Sequence, residues 1–296
     1  MTLAKVIPLL LQASIVLTVV GLGLQTKSGD LRALFHDRRR LVRSLVAMNV
    51  VMPALAVAIA VAFHLHPAVD VALVTLAVSP VPPLLPGKEL KAGGSGPYAV
   101  GLLFATALLS IVTVPAAVLL AGASSHQARP LPPAEVAQLA LVTVVAPLAA
   151  GAALRGLAPG VAARVAAPIG HLASVLLVVS YVPIVATSFG QLVSLVGNGT
   201  LAAIALFIAA GLAVGHVLGG PHPEDRVVLA LSTASRHPGV AAAAATAIAP
   251  QEKLALAAVL LYTLMGMLGT SLYVRLHHHA PPGEPVPTPP VGGTPC

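Results

Sequence analysis

The chain is dominated by long apolar stretches, each long enough for a helix to cross a lipid bilayer. Such a helix takes about 20 residues, because the hydrocarbon layer is about 30 Å thick and a helix rises about 1.5 Å per residue. Nine stretches have this length: 3–24, 41–62, 69–92, 97–121, 135–155, 167–190, 199–219, 227–249 and 254–274. Backbone groups inside a bilayer must be hydrogen-bonded within the protein, so we predict an all-α membrane protein with nine transmembrane helices.

The composition agrees with this class and excludes others. Hydrophobic residues make up 57% of the chain and charged residues 8%, whereas soluble domains carry about 25% charged residues. The chain has no Trp, and so few aromatic residues do not favour stacking on nucleic acid bases. The single cysteine, Cys296, provides neither an internal disulfide nor a cysteine metal cluster. We therefore expect no nucleic acid partner, no metal and no cofactor.

The basic residues predict the orientation of the helices. The loops on one side hold twelve of them: Lys27, Arg32, Arg38, Arg39, Arg40, Arg43, Lys88, Lys91, Arg155, Arg164, Arg226 and Arg275. The other side holds three: Lys5, Arg129 and Lys253. Because basic loops stay in the cytoplasm, we predict an inner (plasma) membrane protein with its N-terminus outside and its C-terminus inside. The run DRRR at 37–40 is expected to contact lipid headgroups.

The chain divides into one large domain and a tail. Residues 1–279 are predicted to form the transmembrane domain. Residues 280–296, APPGEPVPTPPVGGTPC, are rich in Pro and Gly, which is typical of a disordered segment, here on the cytoplasmic side.

Two of the nine stretches are interrupted by proline. The third contains Pro80, Pro82, Pro83 and Pro86, and the eighth contains Pro238. Proline removes a backbone donor and clashes with the preceding turn, so both helices should break. Pro86-Gly87 and Pro238-Gly239 can each begin a second half-helix. Two broken helices at corresponding places of two halves are typical of inverted-repeat transporters, although ordinary proline kinks are the alternative.

Charged and polar residues beside the breaks are the candidate binding residues. Arg236 stands in the second break, and an arginine at membrane depth favours either an anion site or a structural role for its charge. The start of a helix also favours anions, so the site is expected to bind an anionic group. The complete set of candidates for substrate or ion binding is Asn49, Pro86, Gly87, Lys88, Glu89, Ser232, Ser235, Arg236 and His237.

Two of these candidates have competing interpretations. Glu89 is either an ion-pair partner of Arg236 across the crossing helices or part of a solvated cytoplasmic cluster with its neighbouring lysines. An ion pair predicts that replacing both partners is less harmful than replacing one. His237 either carries a proton during transport or is a neutral ring hydrogen-bonded to the broken backbone.

Four segments resemble the bile acid:sodium symporter family: GLGLQTKSGDL at 21–31, MNVVMPALA at 48–56, SPVPP at 79–83 and SRHPGVAAA at 235–243. The likeness extends over about residues 10–275. It implies an inverted-repeat fold in which a panel domain faces a core domain, the two interrupted helices crossing in the core. It also implies the uptake of a small organic anion by alternating access.

The residues that the resemblance places at the sodium sites are altered. The family's glutamate falls on Ser232, its glutamine on Arg236 and its asparagine on His237, and the Ser-Asn pair of the first crossing falls on Leu85 and Pro86. A guanidinium only donates hydrogen bonds and is always charged, so Arg236 cannot bind sodium. We therefore predict transport without sodium, either coupled to protons or passive.

The function predicted is a secondary transporter of a small organic anion, with membrane lipids as its other partners. The alternative is a membrane sensor that keeps the fold and does not transport. The sequence has no HExxH, GxSxG or P-loop motif, so we expect no enzyme. The substrate, the direction of transport and the oligomeric state are left open.

Overall fold

The computed structural model describes residues 3–25, 37–122, 141–252 and 254–277, together with residues 134 and 138. Within these residues all regular structure is helical and no strand occurs. The predictions for Lys27, Arg32, Arg129, Lys253 and the tail 280–296 lie outside the described residues.

The helices are numbered in their order along the chain. Their order is α1 Leu3–Gln25, α2 Arg38–Val46, a π-helical turn Ala47–Val51, α3 Met52–Phe63, α4 Pro67–Val78, α5 Leu85–Lys91 and α6 Gly96–Gly122. After them come a π-helical turn Leu141–Val145, α7 Ala146–Leu157, α8 Pro159–Ser194, α9 Thr200–Leu218, α10 Pro223–Ala234, α11 Pro238–Ile248 and α12 Ala255–His277.

The chain is an integral, multi-pass membrane protein. Five helices of the described part are long and apolar enough to cross a bilayer: Arg38–Phe63, Gly96–Leu120, Pro159–Ser194, Thr200–Leu218 and Ala255–His277. Large apolar side chains of α8 point outward; Val178 and Val182 are 60% and 61% exposed. Soluble proteins rarely expose an apolar surface of this kind, whereas lipid covers it without cost.

Helix α8 is longer than the sequence predicted. The prediction was 167–190, but the helix runs from Pro159 to Ser194 and contains Pro168 and Pro183. At about 1.5 Å per residue it is about 54 Å long and exceeds the hydrocarbon thickness. Only Ala158 separates it from α7. Arg164, expected in a loop, therefore lies on the exposed first part of α8.

Glycines let some helices pack backbone to backbone. On α1 and α7, a Cβ added to Gly23 would collide with Leu148 O, and one added to Gly151 would collide with Val20 O. Ser14 Oγ on α1 also donates to Ala173 O on α8 at 2.7 Å. Helices α1, α7 and α8 thus form one closely packed group.

A second glycine contact holds α10 against α9. Gly211, Gly215 and Gly219 are spaced four residues apart. A Cβ on Gly215 or Gly219 would collide with the backbone of α10, and one on Gly211 would be in tight contact with it. Small residues at this spacing allow close helix contact in membranes. The contact fixes the helix that carries Ser232 and leads into the second break.

One arginine of the DRRR run forms ion pairs within the protein, and the other two are exposed. Arg40 forms ion pairs with Asp37 at 3.3 Å and with Asp225 at the start of α10 at 3.2 Å. Arg38 and Arg39 are exposed. The Asp37 carboxylate caps α2 by accepting the Arg40 N–H at 3.0 Å. That hydrogen bond, with the neighbouring arginine charges, lowers the pKa of Asp37.

Candidate functional site

The first break separates α4 from α5 at residues 79–84. Ser79 leaves the helix in an extended conformation, with φ −74° and ψ 149°, and Pro80, Pro82 and Pro83 follow it. Pro83 has no N–H, so the Ser79 carbonyl lacks the donor that a helix would supply four residues later, and the extended Ser79 takes Pro80 out of the helix. The carbonyls of Ser79 and Pro80 are therefore available to other donors.

The second break separates α10 from α11 at residues 235–237. His237 caps α11: its Nδ1 accepts the N–H groups of Gly239 at 3.1 Å and Val240 at 3.3 Å. An Nδ1 that accepts has no proton of its own, which leaves the ring proton on Nε2. Pro238 begins α11, as predicted, because the first helical residue needs no N–H.

The two breaks contact each other directly. The His237 N–H donates to Pro80 O at 2.9 Å, and Arg236 Nη1 donates to Ser79 O at 3.1 Å. Unwound backbone from one interrupted helix is thus bound by residues of the other. This is the arrangement that lets irregular backbone persist at membrane depth.

Arg236 also reaches a third segment. Its Nη2 donates to Met48 O at 3.0 Å, and the side chain is buried, with 3% of the residue exposed. Met48 lies in the π-helical turn 47–51. In this turn the Met52 N–H donates to Ala47 O, and not to Met48 O as it would in an α-helix. Pro53, the next residue, has no N–H. The Met48 carbonyl is consequently free to accept from the guanidinium.

Glu89 does not pair with Arg236. The carboxyl is fully buried, and its Oε1 accepts a hydrogen bond from Ser232 Oγ at 2.7 Å. In the described part of the chain both ion pairs belong to Arg40, and none involves Glu89. The predicted ion pair is therefore wrong, because the guanidinium is directed at Ser79 O and Met48 O. The alternative, a solvated cluster, is also wrong for Glu89.

The other candidates lie at varying distances from this centre. Lys88 Nζ donates to Thr270 Oγ1 at 2.6 Å and Ser271 Oγ at 3.1 Å, both on α12. Asn49 bonds back to Leu45 O at 3.3 Å, within its own helix. Neither side chain is directed to the contact between the breaks.

The remaining candidates belong to the breaks themselves. Pro86 is buried in the first turn of α5, Gly87 beside it is exposed, and Ser235 in the second break is half-buried. The structure thus brings Ser232 to Glu89, and it brings Arg236 and His237 to the backbone of the first break.

Three buried polar atoms around the breaks have no partner among the described residues: Arg236 Nε, His237 Nε2 and Glu89 Oε2. Buried polar groups are nearly always hydrogen-bonded, so such atoms need an explanation. Arg236 Nε and His237 Nε2 can each donate a hydrogen bond, and the guanidinium carries a positive charge, so these two atoms suit an anion. The third atom, Glu89 Oε2, belongs to a carboxyl group and can bind a proton.

Sequence reasoning missed two contributors. Tyr262 on α12 donates from its hydroxyl to Ala234 O at 2.6 Å and so satisfies a carbonyl at the end of α10. No local pattern around Tyr262 predicts this contact. The glycines of α9 were also missed, but GLAVGHVLG at 211–219 has a spacing that could have predicted the close contact.

Comparison with known families gives one match. The model of the Sodium Bile acid symporter family matches residues 13–196, more than half of the chain. The matched part contains the first break and Glu89, whereas the second break follows it. No curated protein matches the chain.

Proposed function

Because the chain belongs to the sodium bile acid symporter family, we propose that it is a secondary transporter that carries a small organic anion across the inner (plasma) membrane by alternating access. The observation that carries this proposal is the direct contact between the two helix breaks, with Arg236 at its centre. Interrupted helices that meet within the membrane form the substrate sites of many secondary transporters.

The proposed architecture has nine crossings in two inverted repeats. The third crossing is α4–α5 and the eighth is α10–α11, each broken at its middle. The close packing of α1, α7 and α8 supports a panel domain made of these helices. The core domain then contains both breaks, and the substrate enters between panel and core.

The proposed substrate site uses the free donors of the second break. Arg236 provides a positive charge and an unused Nε, His237 provides Nε2, and Ser235 stands beside them. A buried anion gains from charge-assisted hydrogen bonds of this kind. We expect Asn49, Pro86, Gly87 and Lys88 to act as secondary positions that shape the cavity or its entrance.

Transport is proposed to be independent of sodium. Sodium needs a cage of oxygen atoms, but the guanidinium of Arg236 already uses the Ser79 and Met48 carbonyls. The Ser232 hydroxyl donates to Glu89. A second cation would also be repelled by the guanidinium at close range. The fixed cation links the broken helices, as a bound ion would.

Counterflow in proteoliposomes tests this function. Liposomes are loaded with unlabelled taurocholate, or with a simple monocarboxylate in a second set, and given a trace of the labelled anion outside. We expect labelled anion to accumulate above the level of protein-free liposomes, with choline fully replacing sodium. Uptake that falls to background without sodium would contradict the sodium-independent mechanism. No counterflow with any anion would favour the non-transporting sensor.

Cysteine labelling tests the proposed orientation. In a Cys296→Ser background, a single cysteine at position 38 should be protected from an impermeant reagent in intact cells, and one at position 65 should react. If the position-38 cysteine reacts from outside, the orientation is the reverse of the proposed one.

A further inference from the structure

Glu89 is a buried acid that the anion site does not use. It lies in α5, just after the first break, and none of its surface is exposed. Among the described residues, its carboxyl group accepts one hydrogen bond, from Ser232 on α10 before the second break, and Oε2 has no partner. The carboxyl group therefore joins the two interrupted helices.

The charged groups on the elements around Glu89 either bond to other residues or are exposed. On its own helix, Lys88 bonds to α12, and Lys91 is exposed. On α10, Asp225 pairs with Arg40, and Arg226 Nε donates to Gly220 O at 2.6 Å.

The polar groups on α6 and in the second break do not pair with Glu89 either. On α6, the Tyr98 hydroxyl is hydrogen-bonded to Ser44 Oγ at 2.8 Å. In the second break, Arg236 donates to backbone carbonyls. Within the described residues no cation thus lies at ion-pair distance from Glu89.

A carboxylate in this position would be an uncompensated buried charge. Removing such a charge from water costs more than one hydroxyl donor returns. A buried acid without a counter-charge avoids this cost by taking up a proton. The neutral acid suits the environment, because Ser232 donates to one oxygen and the other oxygen holds the proton.

We propose that Glu89 is the proton-binding site that couples transport in this protein, binding a proton when the breaks are closed and releasing it when water reaches them. This proposal rests on the proposed transport function and names its coupling ion. One proton moves with each substrate molecule: the carboxylate takes it from the aqueous phase on one side and returns it on the other. A proton moving with a monovalent anion makes the cycle electrically neutral.

The contact with Ser232 explains why protonation would affect the helices. In the closed state the acid and hydroxyl bind α5 to α10 without a net charge. A carboxylate gains from hydration, so losing the proton favours the state in which water separates the two helices. Protonation therefore shifts the equilibrium between closed and opened breaks.

Infrared spectroscopy of the purified protein in lipid tests the proton site without a substrate. At neutral pH the wild type should show the C=O stretching band of a protonated carboxylic acid. The band should be absent in Glu89→Gln and unchanged in Glu224→Gln, a control at an exposed glutamate on α10. Ser232→Ala should keep the band and shift it to higher wavenumber, because the carbonyl loses its donor. This second variant decides the assignment if Glu89→Gln does not fold.

Proteoliposomes test the coupling. With labelled taurocholate outside, an inward proton gradient should drive accumulation by the wild type and by Glu224→Gln, and this driven uptake should be lost in Glu89→Gln. Uptake by Glu89→Gln that still follows the gradient, or a wild type without the acid band, would overturn the proposal. If the wild type carries no labelled anion at all, the transport function fails, and the infrared band alone decides whether Glu89 holds a proton.

Discussion

Replacing Arg236 with lysine isolates what the guanidinium contributes apart from its charge. The arginine uses two nitrogens to reach two carbonyls on different segments, Ser79 O at 3.1 Å and Met48 O at 3.0 Å. Lysine keeps the positive charge but has a single nitrogen on a flexible chain. Because the charge is unchanged, the cost of burying it is about the same in both proteins. The difference in stability between the wild type and Arg236→Lys therefore measures the loss of the two-nitrogen contact that joins the carbonyls.

The expected loss is about 1–3 kcal/mol. The two carbonyls are bonded by two different nitrogens of Arg236, whereas lysine offers all its donors from one nitrogen, so we expect one carbonyl to lose its partner. A buried acceptor left without a partner costs about 1–3 kcal/mol. Hydrogen bonds between membrane helices contribute about 0.6 kcal/mol on average and up to about 1.7 kcal/mol. We expect each Arg236 hydrogen bond to contribute at or above the upper end of this range, because the donor is charged and neither carbonyl has a helical partner.

Thermal unfolding of the purified protein in detergent measures this loss. The midpoint should fall for Arg236→Lys and stay unchanged for Arg164→Lys, a control on the exposed surface of α8. In transport assays, Arg236→Ala should abolish uptake and Arg236→Lys should restore only part of it. An Arg236→Lys protein as stable as the wild type within about 0.5 kcal/mol, the usual range for surface changes, would refute the bridging role of the guanidinium.

Three further predictions follow from other contacts. Glu89→Gln and Arg236→Gln should change the free energy of unfolding additively, within about 0.5 kcal/mol in a double-mutant cycle, because the two side chains share no partner; a large coupling would mean that they interact after all. Gly215→Ala should lower the unfolding midpoint, because its methyl group meets the backbone of α10. Gly190→Ala, with open space around it, should leave the midpoint unchanged or raise it through its better helix propensity, by up to about 1 kcal/mol. The lowered pKa of Asp37 stabilises the fold above the usual aspartate pKa, and this contribution is lost as the pH falls through the lowered value. Asp37→Asn should therefore unfold at a midpoint that depends less on pH in the acidic range, and an unchanged pH dependence would contradict this.

Local sequence was enough to predict that the chain is helical, that it crosses the membrane and where two helices break, whereas α8 is longer than predicted. Long apolar runs identified membrane helices, because the bilayer requires a minimum length and full backbone hydrogen bonding. Prolines at 80–86 and at 238 identified both interruptions, because the missing N–H acts within one turn. The order of these features along the chain was also enough to indicate the family, which the match over residues 13–196 confirms.

The partners of the charged residues were decided by tertiary structure. Arg236 and Glu89 looked like a pair, since both stand beside breaks and have opposite charge. The folded chain instead directs Arg236 to Ser79 O and Met48 O and directs Glu89 to Ser232. Which groups meet depends on how the helices rotate about their axes and on which carbonyls remain unpaired. These are properties of the packed molecule, because they arise between segments more than a hundred residues apart in the chain.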